Sequence, residues 1–161
     1  MTLADSLWLF QTVHAVGLAV WLSIAVLNNG QAFLGAAGAV GATMSMAPFK
    51  QAPTIDTPLL TRAVRSVAWH RVALLLVLAL QIIGATACWI GSYELVIAGG
   101  LGAARPWLNI ALSSFAAFIF AMHLGGLWFA YWIRQEGLQL THLVMLLWTL
   151  MAFFLFNAPW A

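Results

Sequence analysis

Four apolar stretches, each about as long as a lipid bilayer is thick, constrain this chain more than any other feature. They run from about Leu7 to Leu27, Val72 to Tyr93, Trp107 to Ile133 and Leu140 to Phe156. A helix needs roughly 20 apolar residues to cross the hydrocarbon core, and a helix satisfies its own backbone hydrogen bonds in lipid. The sequence therefore predicts an all-α membrane protein, a bundle of four transmembrane helices forming a single domain over residues 1–161.

The scarcity of charge points the same way. Six basic and four acidic side chains are the only charged ones among 161 residues, and the mean hydropathy is +0.98. A soluble domain carries charge on about a quarter of its residues. We therefore expect the lipid bilayer to surround most of the chain, and we exclude a nucleic-acid surface. Cys88 is the only cysteine, so the chain forms no internal disulfide.

The links between the apolar stretches are unequal in length. Asn28 to Arg71 forms a long link, whereas Glu94 to Pro106 and Arg134 to Gln139 are short and predict up-and-down neighbours. Within the long link, the glycine- and alanine-rich stretch from Ala32 to Met46 predicts an interfacial or re-entrant segment. The stretch from Leu59 to Trp69 predicts a short amphipathic helix in the headgroup region.

The basic residues predict an orientation. Five of the six lie on the side of the long link, and only Arg105 lies on the other side. Because cytoplasmic loops carry an excess of lysine and arginine, we expect the long link in the cytoplasm and both termini outside it. The five are Lys50, Arg62, Arg65, Arg71 and Arg134.

Short motifs along nearly the whole chain indicate a family resemblance. They are Asn28-Asn29, Met44-Ser45-Met46, Leu60-Thr61-Arg62-Ala63-Val64, Trp69-His70, Gly125-Gly126-Leu127-Trp128-Phe129-Ala130-Tyr131-Trp132 and Phe156-Asn157-Ala158-Pro159. On these motifs the chain resembles the predicted small integral membrane proteins of the domain of unknown function 2165 family. The resemblance implies a four-span bacterial membrane protein in a family without an agreed activity. Together with the basic residues, it leads us to expect the bacterial inner membrane, with periplasmic termini.

The chain departs from the pattern of that family at two positions. Members of the family tend to carry an acidic residue where this chain has Gln81 and Leu127. Carboxylates inside a membrane mark proton or cation pathways. Their absence here weakens the hypothesis of a small-solute transporter.

Four histidines stand out against so apolar a background, namely His14, His70, His123 and His142. The plain interpretation is a neutral imidazole bonded between helices; the alternative is contact with haem b or a quinone. Bis-histidine haem needs two imidazoles at one depth on facing helices. His70 and His142 begin spans on the same side and meet this condition, whereas His14 and His123 do not share a level.

A quinone site needs an apolar slot with one or two polar groups for the carbonyls. Two helix faces offer such groups at helical spacing, although faces of this kind are usually where helices pack. The residues on the first span are Gln11, His14, Trp21 and Asn28, and those on the third are Asn109, Ser113, Ala116 and His123.

Small residues predict close helix packing or contact with a partner, because in lipid close backbone approach drives helix association. Gly84 and Cys88 lie in the second span, and Gly125 and Gly126 precede Trp128 in the third. These five residues are the candidates for packing or partner contact.

Three classes of function follow from what the chain contains. We find no nucleophile paired with a base, no phosphate loop and no cluster of metal ligands, so catalysis by the chain alone is not expected. The first class is an accessory subunit of a larger membrane complex, such as a respiratory assembly. The second is a redox subunit that binds haem b or a quinone, and the third is a small-solute transporter.

Overall fold

The computed structural model describes residues 1–98 and 100–160, and most of this part of the chain is helical. Its five α-helices are α1 (Leu3–Gln31), α2 (Phe33–Met44), α3 (Val67–Tyr93), α4 (Gly100–Trp128) and α5 (Glu136–Asn157). Four of them, with α3 extended to Ala98, are long and apolar enough to cross a membrane. Residues 1–98 and 100–160 contain no β-strand. The prediction of an all-α bundle with four membrane helices is confirmed.

The ends of the helices differ from the predicted ones. The predicted link from Glu94 to Pro106 is largely helical, since one π-helical turn, Glu94–Ala98, continues α3 and α4 begins at Gly100. Gly100 has a φ of 71°, a conformation that glycine adopts without strain. Pro106 lies inside α4, where membrane helices tolerate proline. At its other end α4 stops at Trp128, five residues before the predicted end.

The prediction of an amphipathic helix from Leu59 to Trp69 is wrong. A 3₁₀ turn covers Pro58–Arg62, and regular structure resumes only when α3 begins at Val67. The backbone between these elements bonds to neighbours rather than to itself. The Val64 amide donates to the Met44 carbonyl over 2.8 Å, and the Val64 carbonyl lies 2.9 Å from His70 Nε2. These bonds tie the long link to the ends of α2 and α3.

Helix α2 occupies the place where the sequence predicts an interfacial or re-entrant segment. At 12 residues it is about 18 Å long, too short to cross a bilayer. Its buried residues are Ala37 and Gly41, and it packs on α3. A β-carbon on Gly41 would lie 2.4 Å from His70 Nδ1, so only glycine permits this approach.

The most extensive contact in the bundle joins α3 to α4. Gly91 of α3 lies against Leu108 of α4, and Gly84 of α3 lies against the Ala111 carbonyl. Helix α1 packs on another side of α3, where the Cys88 thiol donates to the Ala15 carbonyl over 3.3 Å. Helix α5 packs on α4. The other three helices therefore pack on the central pair, α3 and α4.

Large side chains, rather than close backbones, connect α1 with α5. Trp21 packs edge-on against Trp148, with ring centroids 5.9 Å apart, and both pack on Phe115 of α4. The Trp148 indole donates to His14 Nε2 over 3.0 Å, and Gln11 donates to the Leu155 carbonyl over 2.9 Å. Aromatic bulk therefore fills the centre of the bundle.

The close approach of α3 to α4 requires glycine where a side chain would clash with the facing helix. Gly91→Ala would place a β-carbon 2.8 Å from the Leu108 side chain and 3.2 Å from its backbone nitrogen. Because such overpacking costs about 1–3 kcal/mol, we expect a clear loss of thermal stability in detergent.

Gly84→Ala is the matched control on the same helix. Its β-carbon would meet ordinary contacts of 3.5–3.6 Å, and alanine favours a helix interior over glycine by about 0.5–1 kcal/mol. We expect its unfolding temperature to stay unchanged or rise. Equal losses in both variants would contradict the packing described for α3 and α4.

Candidate functional site

Two histidines and a tyrosine meet between α4 and α5 at the end of the bundle that carries the long link. His123 Nδ1 lies 2.7 Å from the Tyr131 hydroxyl, and that hydroxyl lies 3.3 Å from His142 Nδ1. The ring centroids are 5.8–6.2 Å apart, and the Tyr131 ring stacks on His142 at 23°. All three side chains are buried. We call this group the His–Tyr–His cluster.

The chain folds this way because α4 ends in a sharp break. Ala130 adopts a left-handed conformation with a φ of 54°, and a 3₁₀ turn, Tyr131–Ile133, follows. This reversal returns Tyr131 toward α4, where its ring lies over Gly126. A β-carbon on Gly126 would lie 2.6 Å from the Tyr131 ring. The bare backbone of Gly126 therefore makes room for the phenol.

The burial of Tyr131 fixes its protonation state. Burial raises the pKa of the Tyr131 phenol above its usual value, which is about 10, because a phenolate loses its hydration there. The phenol therefore stays neutral over the physiological pH range. It has one proton to donate and lone pairs that accept, so it donates to one histidine and accepts from the other.

A cavity of about 470 Å³ lies beside this cluster. Its walls come from α2, α3, α4 and α5 and are largely apolar. They include Val40, Met44, Ala73, Leu76, Val77, Ala121, Met122, Phe129 and Leu138. Four polar residues also line it, namely Thr43, Tyr131, Gln135 and His142.

Hydrogen bonds place the four polar residues together. The Thr43 hydroxyl donates to Gln135 Oε1 over 3.2 Å, the backbone N–H of Gln135 donates to the Tyr131 carbonyl over 2.7 Å, and the Tyr131 hydroxyl bonds His142. The cavity thus has apolar walls and one polar end. Because its Oε1 is occupied by Thr43, Gln135 has its Nε2 amide protons left to donate.

The sequence did not identify Thr43, Tyr131 and Gln135 as site residues. Tyr131 and Gln135 lie in the break after α4, which the sequence assigned to the end of a longer third span and to a link. With that longer span, His123 is ten residues from the end; with α4 ending at Trp128, it is five. His142 is six residues from the start of α5. The two histidines therefore share a level, and an earlier helix end would have revealed it.

The other two histidines are engaged elsewhere. His70 bonds the Val64 carbonyl through Nε2, and its ring lies against Gly41. His14 accepts the Trp148 indole proton and packs edge-on against Phe156. Within residues 1–98 and 100–160, no hydrogen bond or ring packing joins either of them to the His–Tyr–His cluster.

The two helix faces considered for a quinone serve mainly other purposes. On α1, Gln11, His14 and Trp21 make the contacts with α5 described above. On α4, Asn109 pairs with Asn157, the two amides exchanging bonds of 2.8–2.9 Å. Ser113 and Ala116 line a shallow, largely apolar groove of about 450 Å³ between α4 and α5. His123 is the member of these faces that reaches the cluster beside the cavity.

The cluster does not fit a bis-histidine haem. Such a haem needs a macrocycle between two imidazoles whose nitrogens face each other through the iron. Here the Tyr131 ring packs against both imidazoles, and both bond its hydroxyl through Nδ1. The pair His70 and His142 does not fit either, because the ring of His70 is held between Val64 and Gly41.

The predicted packing residues have different surroundings. Cys88 is fully buried against α1, and Gly84 faces α4 at ordinary distances. Gly125 has open space where a side chain would stand and lines the cavity. Trp128 is 57% exposed, with the Arg62 guanidinium 4.7 Å from the centroid of its ring. Gly126 lies under Tyr131. Contact with a partner protein stays a prediction for all five.

The fold and its four apolar helices define a small, multi-pass integral membrane protein. The chain belongs to the family described as predicted small integral membrane protein (DUF2165), whose sequence profile matches residues 7–159. Neither a curated protein nor a solved structure matches the chain.

The position of Tyr131 depends on the absence of a side chain at Gly126. We expect Gly126→Ala to push the phenol ring from its place, because three ring carbons lie within 2.6–2.8 Å of the new β-carbon. The cost of such overpacking is about 1–3 kcal/mol, measured as a lower unfolding temperature in detergent.

Gly125→Ala is the neighbouring control. No atom lies within 4 Å of its β-carbon, so we expect an unchanged or higher unfolding temperature. An unchanged unfolding temperature in Gly126→Ala, or an equal decrease in Gly125→Ala, would contradict the close contact between Tyr131 and Gly126.

Proposed function

We propose that this protein binds a lipophilic ligand of the quinone class in the cavity between α2, α3, α4 and α5. One observation supports this function above the others: the cavity joins long apolar walls to a single polar end. Ligand sites combine an apolar lining with a few convergent polar groups that fix the orientation of the ligand. A quinone has the matching form, an apolar tail attached to a ring with carbonyl oxygens.

The residues at the polar end have distinct roles in this proposal. Gln135 donates a hydrogen bond from Nε2 to a carbonyl of the head group, because Thr43 holds its Oε1. His142 meets the head group through Nε2, since its Nδ1 bonds Tyr131. The apolar side chains of Leu76, Val77 and Met122 exclude water from the ring and tail.

The lipid phase supplies such a ligand directly. Leu76 is 56% exposed and Leu138 is 39% exposed, although both line the cavity. Side chains that face both the cavity and the surface of the bundle mark a lateral opening between the helices. In a membrane that surface faces acyl chains, where quinones dissolve.

Filling the cavity tests the proposal. Ala73→Phe puts a phenyl ring into the space from α3, and we expect the affinity for a short-chain benzoquinone to fall at least tenfold, about 1.4 kcal/mol. The measurement is competition between labelled and unlabelled benzoquinone on protein in lipid nanodiscs, with empty nanodiscs giving the background from partitioning.

Ala79→Phe is the matched control, since Ala79 lies on the same helix, is exposed and does not line the cavity. We expect its affinity to equal that of the wild type, and both variants should keep the wild-type unfolding temperature within a few degrees. Binding no stronger than in empty nanodiscs, or equal binding by both variants, would refute the proposed site.

An accessory role in a larger bacterial membrane complex, respiratory or of another kind, is our second proposed function. The support comes from α5, because only 22% of its apolar 18-residue stretch is buried, against 44% of the corresponding stretch of α4. Its exposed apolar residues include Val144, Leu147, Met151 and Phe154. Such a face suits a partner helix, and it suits lipid equally well. A quinone site and a place in a respiratory assembly are compatible.

Gentle extraction tests the accessory role. We expect a tagged chain in mild detergent to co-purify with a defined, stoichiometric set of larger membrane subunits, identified by mass spectrometry. A variant with Leu147→Trp and Met151→Trp on the exposed face of α5 should lose those subunits but keep its unfolding temperature. A chain that emerges alone, or only with copies of itself, would contradict this role.

Transport of a small solute has less support. A transporter needs polar groups available along a path across the bilayer. In this bundle Gln81 accepts from Asn29 over 2.8 Å, and Asn109 and Asn157 bond each other. These polar side chains are engaged in pairs that join helices.

A further inference from the structure

The Tyr131 hydroxyl connects two histidines that otherwise belong to different helices. It is within hydrogen-bond distance of Nδ1 on both rings, at 2.7 Å for His123 and 3.3 Å for His142. A neutral imidazole carries one proton, on Nδ1 or on Nε2. The phenol also carries one proton. The placement of these three protons is therefore not independent.

Among residues 1–98 and 100–160, the two Nδ1 atoms are the recorded partners of the Tyr131 hydroxyl. A buried donor needs an acceptor, so the phenol proton goes to one of them and two arrangements remain. When the phenol donates to His142, the His142 proton is on Nε2, and His123 must donate from Nδ1 to the phenol oxygen. When the phenol donates to His123, the reverse holds: His123 carries its proton on Nε2 and His142 on Nδ1. In either arrangement the two histidines are opposite tautomers.

The two arrangements differ in what His142 presents through Nε2. The recorded hydrogen bonds of both rings use Nδ1, so neither Nε2 has a protein partner among residues 1–98 and 100–160. In the first arrangement Nε2 of His142 is a donor. In the second it is an acceptor. His142 lines the cavity, whereas His123 does not.

We propose that His123, Tyr131 and His142 form one coupled chain that lets His142 bond either a carbonyl or a hydroxyl head group by exchanging tautomers. This proposal rests on the proposed function, because it assigns the head group to the cavity. It identifies Tyr131 and His123 as positioning residues that act through His142. A site of this kind accepts both the quinone form and the hydroxylated form of one ligand.

The exchange conserves protons and charge. His142 releases its Nε2 proton and takes the phenol proton on Nδ1. The phenol takes the Nδ1 proton of His123, and His123 gains a proton on Nε2. The Nε2 proton of His142 passes to water and water supplies the Nε2 proton of His123, so no net charge is buried. This matters because an unpaired charge in an apolar interior is costly.

Nitrogen NMR of ¹⁵N-histidine-labelled protein in nanodiscs tests the coupling without any ligand. At mildly alkaline pH we expect His123 and His142 to be opposite tautomers, with one Nδ1–H and one Nε2–H. The other two histidines calibrate the measurement. His70 should carry its proton on Nε2, facing the Val64 carbonyl, and His14 on Nδ1, because its Nε2 accepts from Trp148. Single histidine-to-glutamine variants assign the signals.

Removing the phenol oxygen should break the coupling. In Tyr131→Phe we expect the tautomers of His123 and His142 to change, while the signals of His70 and His14 stay and show that the fold persists. Tyr93→Phe, at a tyrosine 54% exposed, should change none of the four. Identical tautomers at His123 and His142 in the wild type, or unchanged signals in Tyr131→Phe, would overturn the coupled chain.

Ligands then test the role at the head group. A short-chain benzoquinone should shift His142 toward Nε2–H and His123 toward Nδ1–H, and a redox-inert phenol of similar size should shift both in the opposite sense. A response at His142 alone would overturn the coupling and leave the proposed function standing. If the free protein has opposite tautomers but neither compound changes them, both the head-group role and the proposed function are refuted.

Discussion

The close approach of α3 to α4 is the contact on which the rest of the structure depends. In lipid no water-driven force holds helices together, so the pair associates through packing at small residues. Gly91 lets Leu108 reach the backbone of α3, and α1 and α2 then pack on α3 while α5 packs on α4. The α3–α4 seam is tight, whereas α1 and α5 meet through long side chains, among them Gln11, Trp21 and Trp148. The bundle is therefore dense at its centre and more open toward α2 and α5, where the cavity lies.

The break after α4 produces the candidate site. A helix continued past Trp128 would send Tyr131 away from the bundle, as an interfacial aromatic. The left-handed Ala130 instead returns the phenol over Gly126 and between His123 and His142. A buried phenol needs a hydrogen-bond partner, and buried imidazoles do too, so the three groups satisfy one another. The same break places Gln135 beside Thr43. The polar residues that line the cavity therefore lie together at one end of it.

The sequence predicted the membrane class, the four spans and the family because hydropathy and short motifs are local properties. It did not predict the site, since a site depends on where helices stop and which faces meet. Placing the end of the third span at Ile133 put His123 too deep to meet His142. The Gly125-Gly126 pair was a usable signal, because two glycines before a run of aromatic residues weaken a helix and leave room for a ring. The long link was harder to predict: its backbone bonds to Met44 and His70, which are distant in sequence.

The distribution of polar side chains separates the parts of this bundle that hold it together from the part that is suited to binding. Asn109 with Asn157 is a closed pair, in which each amide donates to the other across two helices, and Asn29 donates to Gln81 across α1 and α3. Unsatisfied polar groups in hydrocarbon cost several kcal/mol, roughly, so closed pairs are the stable arrangement. At the cavity the balance differs, because Gln135 Nε2 and His142 Nε2 retain hydrogen-bonding capacity after their protein bonds are made. Groups that keep such capacity beside an apolar cavity are stabilised when a ligand with complementary polar atoms occupies it. That asymmetry, more than the mere presence of four histidines, is the physical reason to place binding at this end of the bundle.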